Sequence, residues 1–156
     1  MPKLSLLIIL IIIASTIYSQ DKLEITALNR ITLNRKDTIY QFFVQKAPEK
    51  LKVQTDLDYY WFAPDTILVT TGGFDGKLLH GGYKVFYPNK NLKEEGSFDN
   101  GSKTGVWRRW DPDGRLLTIT NWNKGKKEGP FTEYGPDGKI INNSIYKDGK
   151  IVTEDK

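Results

Sequence analysis

The sequence predicts an all-β protein, an elongated antiparallel meander of tandem β-hairpins with a period of 24 residues. Aromatic and proline positions recur in phase through four consecutive windows, 57–80, 81–104, 105–128 and 129–152, and glycine positions through the last three. Each window carries two turn signals. The runs between turns alternate with the period of two that a pleated strand imposes on its side chains.

Composition narrows the function classes. The chain has 156 residues, 23 Lys+Arg against 19 Asp+Glu, one His and no Cys. That length holds one domain, or a leader plus one small domain. The absence of cysteine excludes a disulfide framework, a thiol nucleophile and a cysteine zinc site. A single histidine excludes a multi-histidine metal cluster. A net charge of +4 over this length is mild and gives no footprint for nucleic acid. Fourteen Gly, eight Tyr, seven Phe and four Trp suit short strands and tight turns rather than long helices.

Residues 1–19 read as a signal peptide. Lys3 is the one charge before Asp21, Leu6 to Ala14 is an unbroken apolar run, and Ser19 is a small residue at the exit. Cleavage between Ser19 and Gln20 leaves a mature chain of 137 residues that has lost Lys3. The rival reading is an uncleaved anchor, but Leu4 to Tyr18 spans 15 residues and a crossing helix needs about 20. Export makes the protein periplasmic, envelope-associated or secreted, and removes it from nucleic acid.

Residues 20–56 fit the period poorly and read as a β segment capping the open edge of the array. Alternation marks strands around Leu23–Ala27, Ile31–Leu33, Thr38–Val44 and Leu51–Val53, with turns at residues 34–37 and 46–50.

The columns of the repeat then follow in order. One aromatic falls at Tyr59, Tyr83, Trp107 and Phe131, and a second at Phe62, Phe86, Trp110 and Tyr134. Proline recurs at 64, 88, 112 and 136. An aliphatic falls at Leu68, Leu92, Leu116 and Ile140, and a third aromatic at Phe74, Phe98, Trp122 and Tyr146. These sixteen apolar side chains are the expected core. One turn is Pro112-Asp113-Gly114-Arg115 or Pro136-Asp137-Gly138-Lys139, with Lys90 and Thr66 standing where glycine is expected in the first two windows. The other is an X-Gly pair at Gly101, Gly125 and Gly149. Along the strand after the first turn, Leu116, Thr118, Thr120 and Trp122 fall on one face by simple alternation, aliphatic at the start and aromatic at the end. A single unit cannot bury its own rings, so neighbouring copies must support one another. Thr153–Lys156 reads as a polar tail.

The stretch Gly105-Val106-Trp107-Arg108-Arg109-Trp110-Asp111-Pro112-Asp113-Gly114-Arg115-Leu116, followed by Trp122-Asn123-Lys124-Gly125 and Gly129, resembles the MORN repeat, in the variant found in small bacterial antitoxin-like proteins. The resemblance covers 81–152 well and 57–80 moderately. It implies a β-hairpin array acting in protein or membrane interaction. A secreted copy cannot neutralise a cytosolic toxin.

Little else points to chemistry. His80 is the sole histidine, with Asp75 the one acid close in sequence, which leaves a catalytic triad incomplete. Asp65, Asp113 and Asp137 recur beside proline and read as turn formers. The expected chain is therefore non-enzymatic and without cofactor or metal. Residues 103–127 hold seven cations, Lys103, Arg108, Arg109, Arg115, Lys124, Lys126 and Lys127, against Asp111 and Asp113. Interleaved with Trp107, Trp110 and Trp122, they form a candidate face for an acidic protein, a glycan or an anionic lipid headgroup. The bland alternative is a solvated face whose basic stems cover the rings. A structural accessory of an envelope complex, or an antitoxin- or immunity-like protein, is the alternative function.

Overall fold

The computed structural model describes residues 29–48 and 50–155. The expected leader, its cleavage site at Ser19 and the expected strand around Leu23–Ala27 lie outside the described residues. Eleven strands make one open antiparallel sheet: β1 (Asn29–Arg35), β2 (Thr38–Gln45), β3 (Asp58–Ala63), β4 (Thr66–Thr71), β5 (Lys77–Phe86), β6 (Leu92–Asp99), β7 (Ser102–Trp110), β8 (Leu116–Asn123), β9 (Lys126–Tyr134), β10 (Ile140–Lys147) and β11 (Lys150–Asp155). Their spatial order is β1-β2-β5-β6-β7-β8-β9-β10-β11, with β3 and β4 off this path. No helix occurs among the described residues.

From β5 onward the meander follows the period. The X-Gly turns carry positive φ at both central residues, Asn100–Gly101, Lys124–Gly125 and Asp148–Gly149. This is the turn geometry whose twist matches a hairpin. At the other turns an Asx side chain accepts from the backbone ahead: Asp111 Oδ1 from the N–H groups of Asp113 and Arg115, Asn89 Oδ1 from Asn91, Asp137 Oδ1 from Lys139. Lys90 takes the left-handed conformation (φ 69) that Gly114 and Gly138 adopt in the later copies, at a cost that glycine escapes.

Two register shifts repeat with the units. Thr104 faces Ser97 while Arg108 faces Glu95, so β7 holds extra residues between these pairs, and Gly105 takes φ 67 there. β5 does the same against β2 around Gly81, and β9 against β8 around Gly129. The second shift follows the aliphatic column. Phe86 faces Leu92 but Val85 faces Glu94; Trp110 faces Leu116 but Arg109 faces Thr118; Tyr134 faces Ile140 but Glu133 faces Asn142. Simple alternation through Leu116, Thr118, Thr120 and Trp122 is thus interrupted after Leu116, because a bulge inserts one residue. A stitch also recurs between units. The N–H groups of Gly101, Gly125 and Gly149 donate to the carbonyls of Leu79, Lys103 and Lys127 at 2.8, 2.9 and 3.0 Å.

The hairpin from window 57–80 departs from this scheme. β4 pairs with β3 alone, and β3 meets β5 only at Trp61–Leu78 and Phe62–Lys77. β2 lies along β5 instead, from Ile39–Phe86 to Gln45–Leu78. The β3–β4 ladder has no bulge, so Phe62 faces Ile67, one residue off the Phe86–Leu92 register. β3 is packed on both sides. Tyr60 and Phe62 join the cluster of Phe42, Val44, Leu79, Tyr83, Val85, Phe98 and Trp107. Tyr59 and Trp61 form a second cluster with Leu57 and Leu78, against Ala47, Leu51 and Phe74.

Three further expectations change. Leu51–Val53 is not a strand: Leu51 N–H bonds to Pro48 O and Gln54 N–H to the Tyr59 hydroxyl, so its backbone groups are satisfied locally. Residues 153–155, expected as tail, extend β11 opposite Ile145, Ser144 and Asn143. Of the sixteen expected core residues, Leu68 and Ile140 are exposed. Leu68 stands opposite Trp61 on a strand with one partner, and Ile140 lies at the end of β10 beyond its bulge. Tyr59, Tyr83, Phe98 and Trp107 are buried, and the other ten are half-buried.

Candidate functional site

From Tyr83 onward one face of the sheet gathers the first and third aromatic columns, while Tyr59 and Phe74 belong to the second cluster. Tyr83, Phe98 and Trp107 touch pairwise at centroid distances of 5.0–5.5 Å. Tyr83 and Trp107 approach across Gly96, where an added Cβ would lie 2.2 Å from Trp107 Cδ2. Tyr60 of β3 lies 4.8 Å from Phe98, and Phe62 lies 5.5 Å from Phe42. The β3–β4 hairpin thus covers this face over β2, β5 and β6. Over β7, β8 and β9 the face is open, and a groove of about 480 Å³ lies there.

Pairing across these three strands builds the groove in rungs. Arg109, Thr118 and Glu133 are successive partners; so are Trp107, Thr120 and Phe131; and Trp122 faces Lys127. Glu94 extends the first rung beside Arg109. Lys93 and Lys103 complete the lining. The groove therefore has ring walls, a threonine floor and charge at both ends.

Lys103 stands at the border of the covered region. Its ammonium sits 3.9 Å from the Trp107 ring, 5.2 Å from Trp122 and 5.5 Å from Tyr60, and 3.7 Å from Glu94. Burial pulls its pKa below the ordinary lysine value, Glu94 opposes that shift, and Arg109 and Lys127 add to it. Lys127 repeats the arrangement one unit on, over Phe131 and Tyr146 at 5.4 and 4.7 Å. Neither Lys127 nor Arg109 has an ion pair among the described residues.

The seven sequence-predicted cations do not share one face. Lys103, Arg109 and Lys127 line the groove. Arg108 points to the opposite face by alternation, where it and Lys84 both lean on Glu95. Arg115 is held in its turn by Asp111 and Asp113. Lys124 occupies a hairpin turn, and Lys126 reaches Asp56 at 3.0 Å. Adjacent residues on a strand cannot face the same way, which is why a count along residues 103–127 overstates any single surface. Lys93, Glu94, Thr118, Thr120 and Glu133 escaped sequence reasoning. The period itself was the signal: adding 24 to Arg109 and Trp107 reaches Glu133 and Phe131.

His80 has a structural setting. Its Nδ1 accepts from the backbone N–H of Asn100 and lies 3.0 Å from Gln45 Nε2, tying β5 to the β6–β7 turn. Asp99, rather than Asp75, is the nearby acid, at 3.5 Å. Among the described residues no group of three or more His, Cys, Asp or Glu side chains is placed to hold a metal.

A bulged hairpin meander, stitched at a fixed interval and open on one ringed face, defines an array of β-hairpin repeats. Residues 79–100 and 127–148 match the family model described as the MORN repeat variant. The two matches start 48 residues apart, twice the period. No curated protein and no solved structure matches the chain.

Proposed function

We propose that the repeats make this a repeat-based binding protein, that it is exported and non-enzymatic, and that the groove over β7–β9 is where it takes an anionic partner. The observation that carries this reading is the placement of Arg109 and Lys127. Both line the same recess with no ion pair among the described residues, next to a third cation that already holds Glu94. Four lining cations, Lys93 included, against the two carboxylates of Glu94 and Glu133 leave a positive potential for an anion to neutralise. Against catalysis, Glu94 and Glu133 stand three strand spacings apart, about 14 Å at the backbone, with Arg109 and Thr118 between them. Paired carboxylates in glycoside hydrolysis are about 5–9.5 Å apart. Support for export is the basic start, apolar run and small exit residue of the leader.

The test is a charge-matched pair of double variants. Polygalacturonate and polyglutamate serve as probes. Arg109→Gln/Lys127→Gln loses saturable binding, and Arg108→Gln/Lys124→Gln keeps it; equal loss in both overturns the reading. Export is checked by N-terminal sequencing of the protein from envelope and culture fractions. The expected start is Gln20, and an intact chain confined to the cytosol overturns it.

A further inference from the structure

The anionic partner can be narrowed by what the groove lacks. β7, β8 and β9 are each paired on both sides. No strand edge is therefore free in the groove floor, and an extended peptide cannot be captured through main-chain hydrogen bonds. The lining contains no aliphatic side chain, and its rings are buried or half-buried, so little apolar surface protrudes to enter a bilayer. What remains is a set of rings, hydroxyls and four cations facing two carboxylates, Glu94 and Glu133, recessed rather than protruding.

We infer that the groove binds an acidic saccharide, a sugar chain bearing a carboxylate or another acid group. This rests on the groove being a binding site at all. Trp107 and Phe131 flank Thr120 on either side, which places their Cα atoms two strand spacings apart, about 9.5 Å. Trp107 is buried and leans over Gly96, so the ring face offered above Thr120 is that of half-buried Phe131. The hydroxyl of half-buried Thr118 can donate to and accept from a sugar hydroxyl, whereas Thr120 is 9% exposed and forms the floor beneath. Trp122 offers a further face at the Lys127 end. The apolar face of a pyranose packs on such indole surfaces, and its acid group reaches Lys127 as a point charge or Arg109 as a planar fork. A volume of about 480 Å³ falls within the about 300–1,000 Å³ range of small-molecule sites. Lys103 is unsuited to the ligand's acid group, because Glu94 already holds its charge. Its role is to keep Trp107 and Trp122 in place from between them.

Titrating the purified protein with trigalacturonate, followed by tryptophan fluorescence and calorimetry, tests this. Saturable binding is expected, with neutral galactotriose weaker by about tenfold or more. Trp122→Ala and Lys127→Gln each weaken trigalacturonate by about tenfold, Trp122→Phe restores part of it, and Arg108→Gln has no effect. A sulfated oligosaccharide in a parallel arm separates carboxylate from sulfate as the acid group, and saturable binding of either supports the inference. If polyglutamate or anionic phosphatidylglycerol vesicles bind while both acidic saccharides do not, the saccharide is overturned and the groove reading stands. If none of these probes binds, both fall. Unchanged circular dichroism of each variant shows that a loss is not unfolding, and Trp122→Phe keeps the test decisive should Trp122→Ala misfold.

Discussion

Leu79 and Lys103 occupy the same position of successive units, and their surroundings differ. Leu79 is fully buried beneath the β3–β4 hairpin, whereas Lys103 keeps 16% of its side chain exposed at the hairpin's margin, and Lys127 one unit further lies in the open groove. The covered half of the face is sealed by a second set of rings from β3. In the open half cation stems lie over part of the ring surface, an arrangement that shields some apolar area while leaving charge at the solvent. One repeat pattern thus serves two purposes, and the residue at this single column follows which one applies. Stability should concentrate in the covered half and ligand contacts in the open half.

The sharpest way to break this contrast is to remove equivalent amounts of ring from each half. Phe42 is 1% exposed, so Phe42→Ala should cost about 3–5 kcal/mol. Phe131 is half-buried, so Phe131→Ala should cost about 1–2 kcal/mol. Urea midpoints measure both, and equal losses would end the distinction. Next in size is Gly96→Ala, whose Cβ collides with the Trp107 ring. It should cost about 1–3 kcal/mol and shift the tryptophan emission, since Trp107 must move to admit it.

Alkaline pH gives a third comparison. Burial, helped by nearby Glu94, raises the Tyr83 pKa far above the ordinary tyrosine value of 10.0. The unfolded chain loses this proton near pH 10.0 while the fold retains it. Stability is therefore intact below that pH and falls as pH rises beyond it. Tyr83→Phe should move the alkaline unfolding midpoint upward. Part of the slope should remain, because burial also raises the pKa of Tyr60. The smallest effect belongs to Lys126→Ala. The pair with Asp56 joins residues 70 apart but is solvent-exposed on both sides, and exposed pairs contribute little. No change in the urea midpoint is expected, and a clear loss that added salt abolishes would show this contact to matter.

Residues 81–152 were the most legible part of the sequence because their signals are local: an X-Gly pair, a Pro-Asx turn and an alternating run each fix structure within a few residues. The path of the 57–80 hairpin was not legible. It shares its columns with the other windows, yet which strand lies beside β5 is decided by long-range packing of Phe42 and Val44, which no period encodes. Leu79 in the column that later holds Lys103 and Lys127 was the available hint. The groove was half visible. The rings and three of its cations were marked in advance, but Glu94, Glu133 and the two threonines emerge only when neighbouring strands are laid side by side, and the bulges after Leu92, Leu116 and Ile140 defeat a plain odd-even count.

The glycine stitches have an evolutionary corollary. Because the N–H of Gly125 closes on Lys103 and that of Gly149 on Lys127, each 24-residue cassette brings its own fastening to the cassette before it. Duplicating or excising one in frame would lengthen or shorten the open face like links in a watch strap, leaving the end covered by β3 and β4 untouched.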